Sequence, residues 1–129
     1  MLAVWKEWNL DNILKVGYEK GIIMSGVSAG AICWFEKGIT DSFADKLEIL
    51  DCLGMVRGIA CPHYDEENER EPFVKEIIKK DKISSCICIE GNCALHIKND
   101  FDYESINFGN NKKCLKILKN NNEFIHDYF

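Results

Sequence analysis

The sequence predicts an α/β domain built around a partly parallel sheet. Two short apolar runs, at residues 22–24 and 83–89, are typical of strands buried on both faces. A glycine-rich turn at residues 26–30 joins the first run to a stretch of small residues that suits a helix. Strands that alternate with helices in this way favour parallel pairing. We expect residues 1–129 to form a single domain.

The first third of the chain provides a helix, a strand and a second helix. Asn9 can cap a helix that extends to about residue 17, with its apolar residues on one face. A buried strand is predicted at residues 22–24. The helix that follows the glycine-rich turn is predicted at residues 29–35.

The rest of the chain is predicted to alternate strands with loops and one further helix. Pro72 suits the first turn of that helix. The hairpin strands flank Asn99-Asp100, a typical turn sequence. The expected elements are a polar loop at 36–45, strands at 46–50 and 58–61, an acidic loop at 62–70, a helix at 72–80, a strand at 83–89, an antiparallel hairpin at 93–97 and 103–108, a strand at 113–118 and a turn or frayed tail at 120–122.

Composition excludes several classes of function. The net charge is −5 and no basic stripe is present, which argues against a nucleic-acid partner. A membrane-spanning helix needs about 20 apolar residues, and the apolar runs here are much shorter. The N-terminus lacks the pattern of a signal peptide. We therefore expect a cytoplasmic protein without a membrane partner.

The chain has seven cysteines, an odd number that does not suit a secreted disulfide framework. Reduced cysteine behaves as a small hydrophobic residue. Cys86 and Cys88 occupy alternate positions of a strand rather than a metal-binding spacing, and we predict neither a metal nor an organic cofactor. Five cysteines are predicted to be core thiols: Cys33, Cys61, Cys86, Cys88 and Cys93.

The sharpest motif is Gly-Val-Ser-Ala-Gly at residues 26–30, between a predicted strand and a predicted helix. This is the pattern of a nucleophile elbow, in which small neighbours allow a sharp turn that exposes the serine. Ser28 would then be a nucleophile at a helix N-terminus, and the Ala29 N–H would face a developing oxyanion. A serine that only caps the helix is an equally good interpretation of the spacing.

A serine nucleophile requires a general base, and the chain offers three histidines. His96 alternates with apolar residues in a predicted strand, and His126 lies near the C-terminus. His63 follows a predicted strand, as Ser28 does, and ligands gather at the carboxyl edge of such sheets. We therefore select His63, although a loop histidine bonded to a neighbouring acid would have the same spacing.

The third member of such a site is a carboxylate that orients the histidine. Asp41, Asp45, Asp65 and Glu90 are candidates, and composition does not separate them. The order Ser28, Asp41, His63 matches the order in α/β-hydrolases. The gaps of 13 and 22 residues are too short for that fold, which indicates a different one.

Three segments together resemble the peptidase E group of serine peptidases, which includes aspartyl dipeptidases and is related to cyanophycinases. They are residues 26–31, the Cys-Pro-His-Tyr segment at 61–64 and the Ile-Glu-Gly-Asn segment at 89–92. The resemblance implies a fold of the class I glutamine amidotransferase type, with a mostly parallel three-layer sheet. It also implies that Ser28 is the nucleophile, His63 the base and Asp41 the acid.

The resemblance further implies small peptide substrates, in particular dipeptides with an N-terminal aspartate. Arg70, in Glu69-Arg70-Glu71, is similar to an arginine that holds the aspartate in this group. Glu90 is a second candidate for substrate binding, and it also stays open as the catalytic acid. A glutaminase of the same fold would have cysteine at position 28.

Members of this group have several strands upstream of the region present here. We therefore expect an N-terminally truncated domain that forms a homodimer or binds a missing N-terminal segment. A catalytically impaired remnant, or an interaction module with the same fold, is the alternative function.

Overall fold

The computed structural model describes residues 1–99, 102–109, 111–121 and 123–129. Its helices are α1 (Leu2–Glu7), α2 (Leu10–Glu19), α3 (Ala29–Ile32) and α4 (Arg70–Lys79). Its strands are β1 (Phe35–Thr40), β2 (Glu48–Asp51), β3 (Val56–Cys61), β4 (Ser85–Ile89), β5 (Cys93–Asn99), β6 (Asp102–Asn107), β7 (Cys114–Asn120) and β8 (Glu123–Tyr128).

Six strands form a mixed sheet in the order β2-β1-β3-β4-β7-β8. The central strands β1, β3 and β4 are parallel, and the three outer pairings are antiparallel. The predicted α/β class is confirmed, but parallel pairing is limited to the centre of the sheet. The carboxyl ends of β1, β3 and β4 share one edge, so the residues that follow these strands lie near one another.

Both faces of the sheet are covered, because alternate residues of each strand point to opposite sides. On one face, Cys86 and Cys88 of β4 pack with the buried side of α4. On the other face, Ile87 packs with α3 and with the β5–β6 hairpin. The core therefore lies on both sides of the central strands.

The predicted strand at residues 22–24 is wrong. These residues form neither helix nor strand, and Ile23 is 90 % exposed. An apolar run forms a strand only when a neighbouring strand pairs with it, and no strand of the described part does so here. The predicted loop at residues 36–45 instead contains most of β1, because Phe35 and Ile39 are buried while Glu36 and Lys37 face solvent. Helix α3 ends three residues earlier than predicted.

The C-terminal third agrees better with the sequence. The hairpin is confirmed as β5 and β6, although residue 100 of its predicted turn lies outside the described residues. The predicted strand at 113–118 is β7. Beyond the turn at Asn121, the chain forms β8 rather than a frayed tail, and Asn122 lies outside the described residues.

Four of the five predicted core thiols are buried, and Cys93 is half-buried. Cys114 is the fifth buried thiol. Burial raises the pKa of Cys33 to about 11 and the pKa of Cys61 to about 12. In the described part of the chain, every helix is too short or too polar to cross a membrane.

Candidate active site

Ser28 lies on a sharp bend directly before α3. Its backbone angles, φ 54° and ψ −119°, are unusual for a residue with a side chain. The bend also requires Gly26, because a Cβ atom there would lie 2.0 Å from the carbonyl oxygen of Gly30. The motif at residues 26–30 therefore forms the predicted tight turn, and Ser28 is exposed on it.

Two residues of the described part have backbone angles that are unusual for their residue type. Seven non-glycine residues there have positive φ, and five of them are Asn or Asp, which tolerate this conformation. The other two are Ser28 and His63, with φ of 54° and 77°. Residues held in this region are often functional, and these two contact each other.

His63 follows the end of β3, where the chain leaves the sheet. The Tyr64 N–H donates to the carbonyl oxygen of Ile89 at 3.1 Å, which fixes the start of the loop to β4. The Nε2 atom of His63 lies 2.8 Å from Ser28 Oγ. The predicted serine–histidine pair is therefore within hydrogen-bonding distance.

The second ring nitrogen of His63 contacts a carboxylate. Nδ1 lies 2.8 Å from Glu66 Oε2. Because an ionised carboxylate only accepts hydrogen bonds, Nδ1 carries the proton and Nε2 is left as the acceptor for the serine hydroxyl. Glu66 is able to reach the ring because the Glu66 N–H bonds back to the carbonyl oxygen of His63, at 3.1 Å, and closes a turn.

Gly91 leaves space for the Glu66 carboxylate. A Cβ atom at Gly91 would lie 2.3 Å from Glu66 Oε1. The Gly91 N–H donates to Asp65 Oδ1 at 2.7 Å, and Lys112 binds the other oxygen of Asp65. Burial opposes ionisation of Asp65, but these two hydrogen bonds outweigh it and lower the pKa of this carboxyl group. Asp65 thus ties the histidine loop to the end of β4.

Asp41, predicted as the acid, does not occupy this position. It follows β1 at the same edge of the sheet, but it faces the side covered by α4, where its carboxylate lies 3.9 Å from Arg70 Nη2. His63 lies on the side of α3. We therefore correct the carboxylate partner of His63 from Asp41 to Glu66. Sequence reasoning overlooked Glu66 because the acidic loop offers four carboxylates; its spacing of three residues from His63 was the available signal.

Arg70, predicted to bind substrate, is also located elsewhere. It is 3 % exposed and begins α4. Its Nε donates to Glu67 Oε2 at 2.6 Å and its Nη1 to the carbonyl oxygen of Ile39 at 3.3 Å. We therefore correct the role of Arg70: in this structure it does not line the cleft but ties α4 to β1.

A cleft of about 470 Å³ lies beside the serine–histidine pair. Ser28, His63, Glu66 and Glu90 contribute its reactive and charged groups. Glu90 follows β4, and its Oε2 accepts a hydrogen bond from the Lys113 N–H at 2.9 Å. Apolar side chains form most of the remaining wall: Val27, Trp34, Val56, Ile89, Leu95 and Phe108.

The Ala29 N–H has no acceptor among the described residues, whereas Gly30 and Ala31 donate to Val27 and Ser28. A serine nucleophile needs a hydrogen-bond donor beside it for the oxyanion, and this N–H lies in that position. No group of three or more potential metal ligands is found among the described residues.

Comparison with known proteins places the sequence of this chain in a family. Residues 1–102 match the sequence model of peptidase family S51. The chain is also 39 % identical over 118 residues to a protein of Bacillus subtilis (strain 168) named as the uncharacterized peptidase YgaJ. That alignment covers 92 % of this chain and 51 % of the relative, so the chain spans about half the length of the curated relative. The match confirms the resemblance to the peptidase E group: the chain belongs to peptidase family S51.

Proposed function

We propose that this chain contributes the serine nucleophile of a peptidase that cleaves small peptides. The observation that supports this most strongly is the chain of hydrogen bonds from Ser28 Oγ to His63 Nε2 and from His63 Nδ1 to Glu66 Oε2, each 2.8 Å long. Family membership supports the class of reaction. The finer fold type that we propose is that of the class I glutamine amidotransferases.

In the first half of the reaction, Ser28 Oγ attacks the carbonyl carbon of a peptide bond and His63 Nε2 takes the hydroxyl proton. The Ala29 N–H stabilises the negative charge on the carbonyl oxygen. When the tetrahedral intermediate collapses, the C–N bond breaks and His63 returns the proton to the leaving amine. The products of this half are an acyl-serine and a free amine.

In the second half, His63 removes a proton from water, which attacks the acyl carbon. The C–O bond to Ser28 breaks, and the proton passes from His63 back to Ser28 Oγ. Glu66 keeps the ring in the tautomer with Nδ1 protonated and stabilises the imidazolium ion that forms in both halves. We propose that the reaction takes place in the cytoplasm.

The preference for N-terminal aspartate does not follow from this site. That expectation depended on Arg70, whose guanidinium is buried against Glu67 and β1 rather than in the cleft. Small peptides therefore remain the proposed substrate class without the aspartate requirement.

A catalytically impaired remnant or interaction module is the second candidate, and one observation favours it. None of residues 1–28, all of which the structure describes, is buried. We propose that a second copy of the chain, or an upstream segment of a longer chain, covers these residues. Such a partner would also be the source of a second oxyanion donor, whose loss costs about 100- to 1,000-fold in rate.

Labelling by a fluorophosphonate tests the nucleophile directly, because it needs only an activated serine. We expect the chain to be labelled at Ser28, and Ser28→Ala to abolish labelling. Glu66→Gln should slow labelling at least about tenfold, since the histidine loses the carboxylate that fixes its tautomer. Mass spectrometry of the labelled peptide identifies the site.

Asp41→Asn is the matched control, because Asp41 is an exposed carboxylate that does not contact His63. Its labelling rate should stay within about threefold of the parent chain. A Glu66→Gln chain that labels at the parent rate would remove Glu66 from the site. Labelling that persists in Ser28→Ala would end the proposal.

A further inference from the structure

Two cysteine side chains meet beside the cleft, and the proposed reaction uses neither of them. Cys93 begins β5 and Cys114 begins β7, and their Sγ atoms lie 3.4 Å apart. Strand β5 belongs to the two-stranded hairpin, whereas β7 belongs to the six-stranded sheet. A bond between these two sulfurs would therefore join the hairpin covalently to the sheet.

Cys93 is the accessible member of the pair. It is half-buried and lines the cleft, whereas Cys114 is fully buried. Burial raises the pKa of both thiols, but the hydrogen bond between them lowers the pKa of Cys93 and raises that of Cys114. Cys93 is therefore the thiol that ionises and reacts first. Three other thiols that lie close together are fully buried in the core on the α4 side, where a small disulfide does not reach them: Cys61, Cys86 and Cys88.

The pair is connected to the end of β4 through Glu90. The Cys93 thiol donates to the carbonyl oxygen of Glu90 at 3.1 Å. On the other side, the N–H of Lys113 donates to Glu90 Oε2 at 2.9 Å, and Lys113 directly precedes Cys114. A change in the position of either cysteine is therefore transmitted to Glu90.

Gly91 continues this connection to the carboxylate of the candidate site. Its N–H donates to Asp65 Oδ1 at 2.7 Å, and its Cα lies so close to Glu66 that a Cβ atom would be 2.3 Å from Oε1. A shift of Gly91 therefore changes the position of Glu66. Because Glu66 Oε2 lies 2.8 Å from His63 Nδ1, such a shift weakens a hydrogen bond that is already well placed.

We infer that Cys93 and Cys114 form a reversible disulfide, by exchange with a small disulfide, and that this cross-link slows the reaction of Ser28. The effect on rate rests on the proposed function, whereas the cross-link itself does not. The sulfurs of a disulfide are about 2.05 Å apart, so closing the gap from 3.4 Å moves the segment at residues 90–93. Oxidation also removes the thiol proton that the carbonyl oxygen of Glu90 accepts.

The exchange proceeds in two steps. The Cys93 thiolate attacks one sulfur of the small disulfide, whose S–S bond breaks, and the thiol that leaves takes the proton lost by Cys93. Cys114 then loses its proton and attacks the Cys93 sulfur. The mixed disulfide breaks, and the second thiol leaves with that proton. Both cysteines are oxidised, and the small disulfide is reduced to two thiols.

The test treats the full chain with glutathione disulfide and follows cross-linking and reactivity separately. Mass spectrometry of unreduced peptides should find Cys93 linked to Cys114, and dithiothreitol should remove this link. Fluorophosphonate should label Ser28 of the oxidised chain about tenfold more slowly than in the reduced chain, because small displacements of a catalytic group have large effects on rate. Dithiothreitol should restore the rate.

Two variants separate this pair from the other thiols. Cys93→Ser removes the reactive thiol but keeps a hydroxyl donor for the carbonyl oxygen of Glu90, and its labelling rate should be the same with and without the oxidant. Cys52→Ser is the matched control, because Cys52 is another half-buried thiol and does not line the cleft. This variant should form the cross-link and lose labelling rate as the parent chain does.

A parent chain that gives no peptide linking Cys93 to Cys114 overturns the inference, as does a cross-linked chain that is labelled at the reduced rate. Slowing that persists in Cys93→Ser would assign the effect to another thiol and also overturn it. If Ser28 of the reduced chain is not labelled, the proposed function fails and the effect on rate fails with it, while the peptide analysis still decides whether the cross-link forms.

Discussion

Residues 1–28 and residues 29–129 differ in how they are packed. Every buried residue of the described part lies in the second region, on the two faces of the central sheet. The first region exposes apolar side chains such as Trp8, Ile13 and Ile23. Its contacts with the second region include the Trp5 ring, whose centroid lies 6.4 Å from that of the Trp34 ring, and the hydrogen bond of Ser28 to His63.

This difference divides the candidate site. The sheet holds His63 and Glu66, because the loop between them is tied to β4 through Tyr64 and Asp65. Ser28 lies at the junction of the two regions, and its position depends on the local turn. The orientation of the base is therefore secured by the core, whereas the placement of the nucleophile depends on a few small residues.

The largest effect is expected when that turn is altered. Gly26→Ala places a Cβ atom 2.0 Å from a backbone oxygen of Gly30, so the turn must move and take Ser28 with it. A displacement of about 1 Å is enough for a loss of about 100-fold in rate. We expect the rate of fluorophosphonate labelling to fall at least that far, while the circular dichroism of the sheet is preserved.

Gly30→Ala is the control for this prediction. A Cβ atom at Gly30 would meet no atom within 4 Å, and alanine is the better helix former in α3. Its labelling rate should stay within about threefold. Equal losses in both variants would show that the close approach of Gly26 to Gly30 is not what positions Ser28.

The sequence predicted the serine–histidine pair because both residues have local signals. The glycine-rich bend exposes Ser28, and the position of His63 just beyond a strand places its ring at the carboxyl edge of the sheet. The strand that was expected before Ser28 is absent from the described structure, so only part of that signal holds. Glu66 has no such signal. The backbone reversal at His63, with φ 77°, selects one carboxylate from an acidic loop, and the amino-acid pattern does not show that reversal.

The second prediction compares apolar side chains from the two regions. Ile117 is fully buried beside Cys86, and Ile23 is 90 % exposed. Ile117→Ala should lower the free energy of unfolding by about 2–5 kcal/mol, since it removes buried methyl groups and leaves a cavity. At protein concentrations too low for a second copy to bind, Ile23→Ala should change it by less than about 0.5 kcal/mol. Urea unfolding followed by circular dichroism measures both.

A loss of more than about 1 kcal/mol in Ile23→Ala would contradict the comparison. It would mean that residues 1–28 are covered in solution, as the proposed second copy or upstream segment requires. Repeating the titration at several protein concentrations separates these cases, because stabilisation by a second copy increases with concentration.

The errors of the fold prediction also depend on whether a segment has a neighbour to pack against. Apolar residues at 22–24 resemble a buried strand, but burial depends on a neighbour that the local pattern does not specify. Strand β1 was overlooked for the opposite reason. Its exposed Glu36 and Lys37 resemble a loop, and only pairing with β2 and β3 makes the segment a strand.

The smallest effect for a single residue is expected from alkaline pH, which acts on thiols that all lie in the second region. All seven cysteines lie between positions 33 and 114. Burial raises the pKa of Cys61, and that of Cys114, to about 12, from a usual value of 9.0. Above pH 9 the unfolded chain loses thiol protons that the folded chain keeps, so the free energy of unfolding falls as pH rises.

Each such thiol contributes a slope of up to about 1.4 kcal/mol per pH unit between its unfolded and folded pKa values. The urea midpoint of the parent chain should therefore decline from pH 7.5 to pH 10. The midpoint of Cys61→Ala should start lower at pH 7.5 but decline less steeply with pH. The Ile23→Ala chain should follow the parent slope, because residues 1–28 contain no thiol. Equal stability of the parent chain at pH 7.5 and pH 10 would mean that the folded sheet does not keep its thiols protonated. That result would contradict the contrast between a buried core and an exposed N-terminal region.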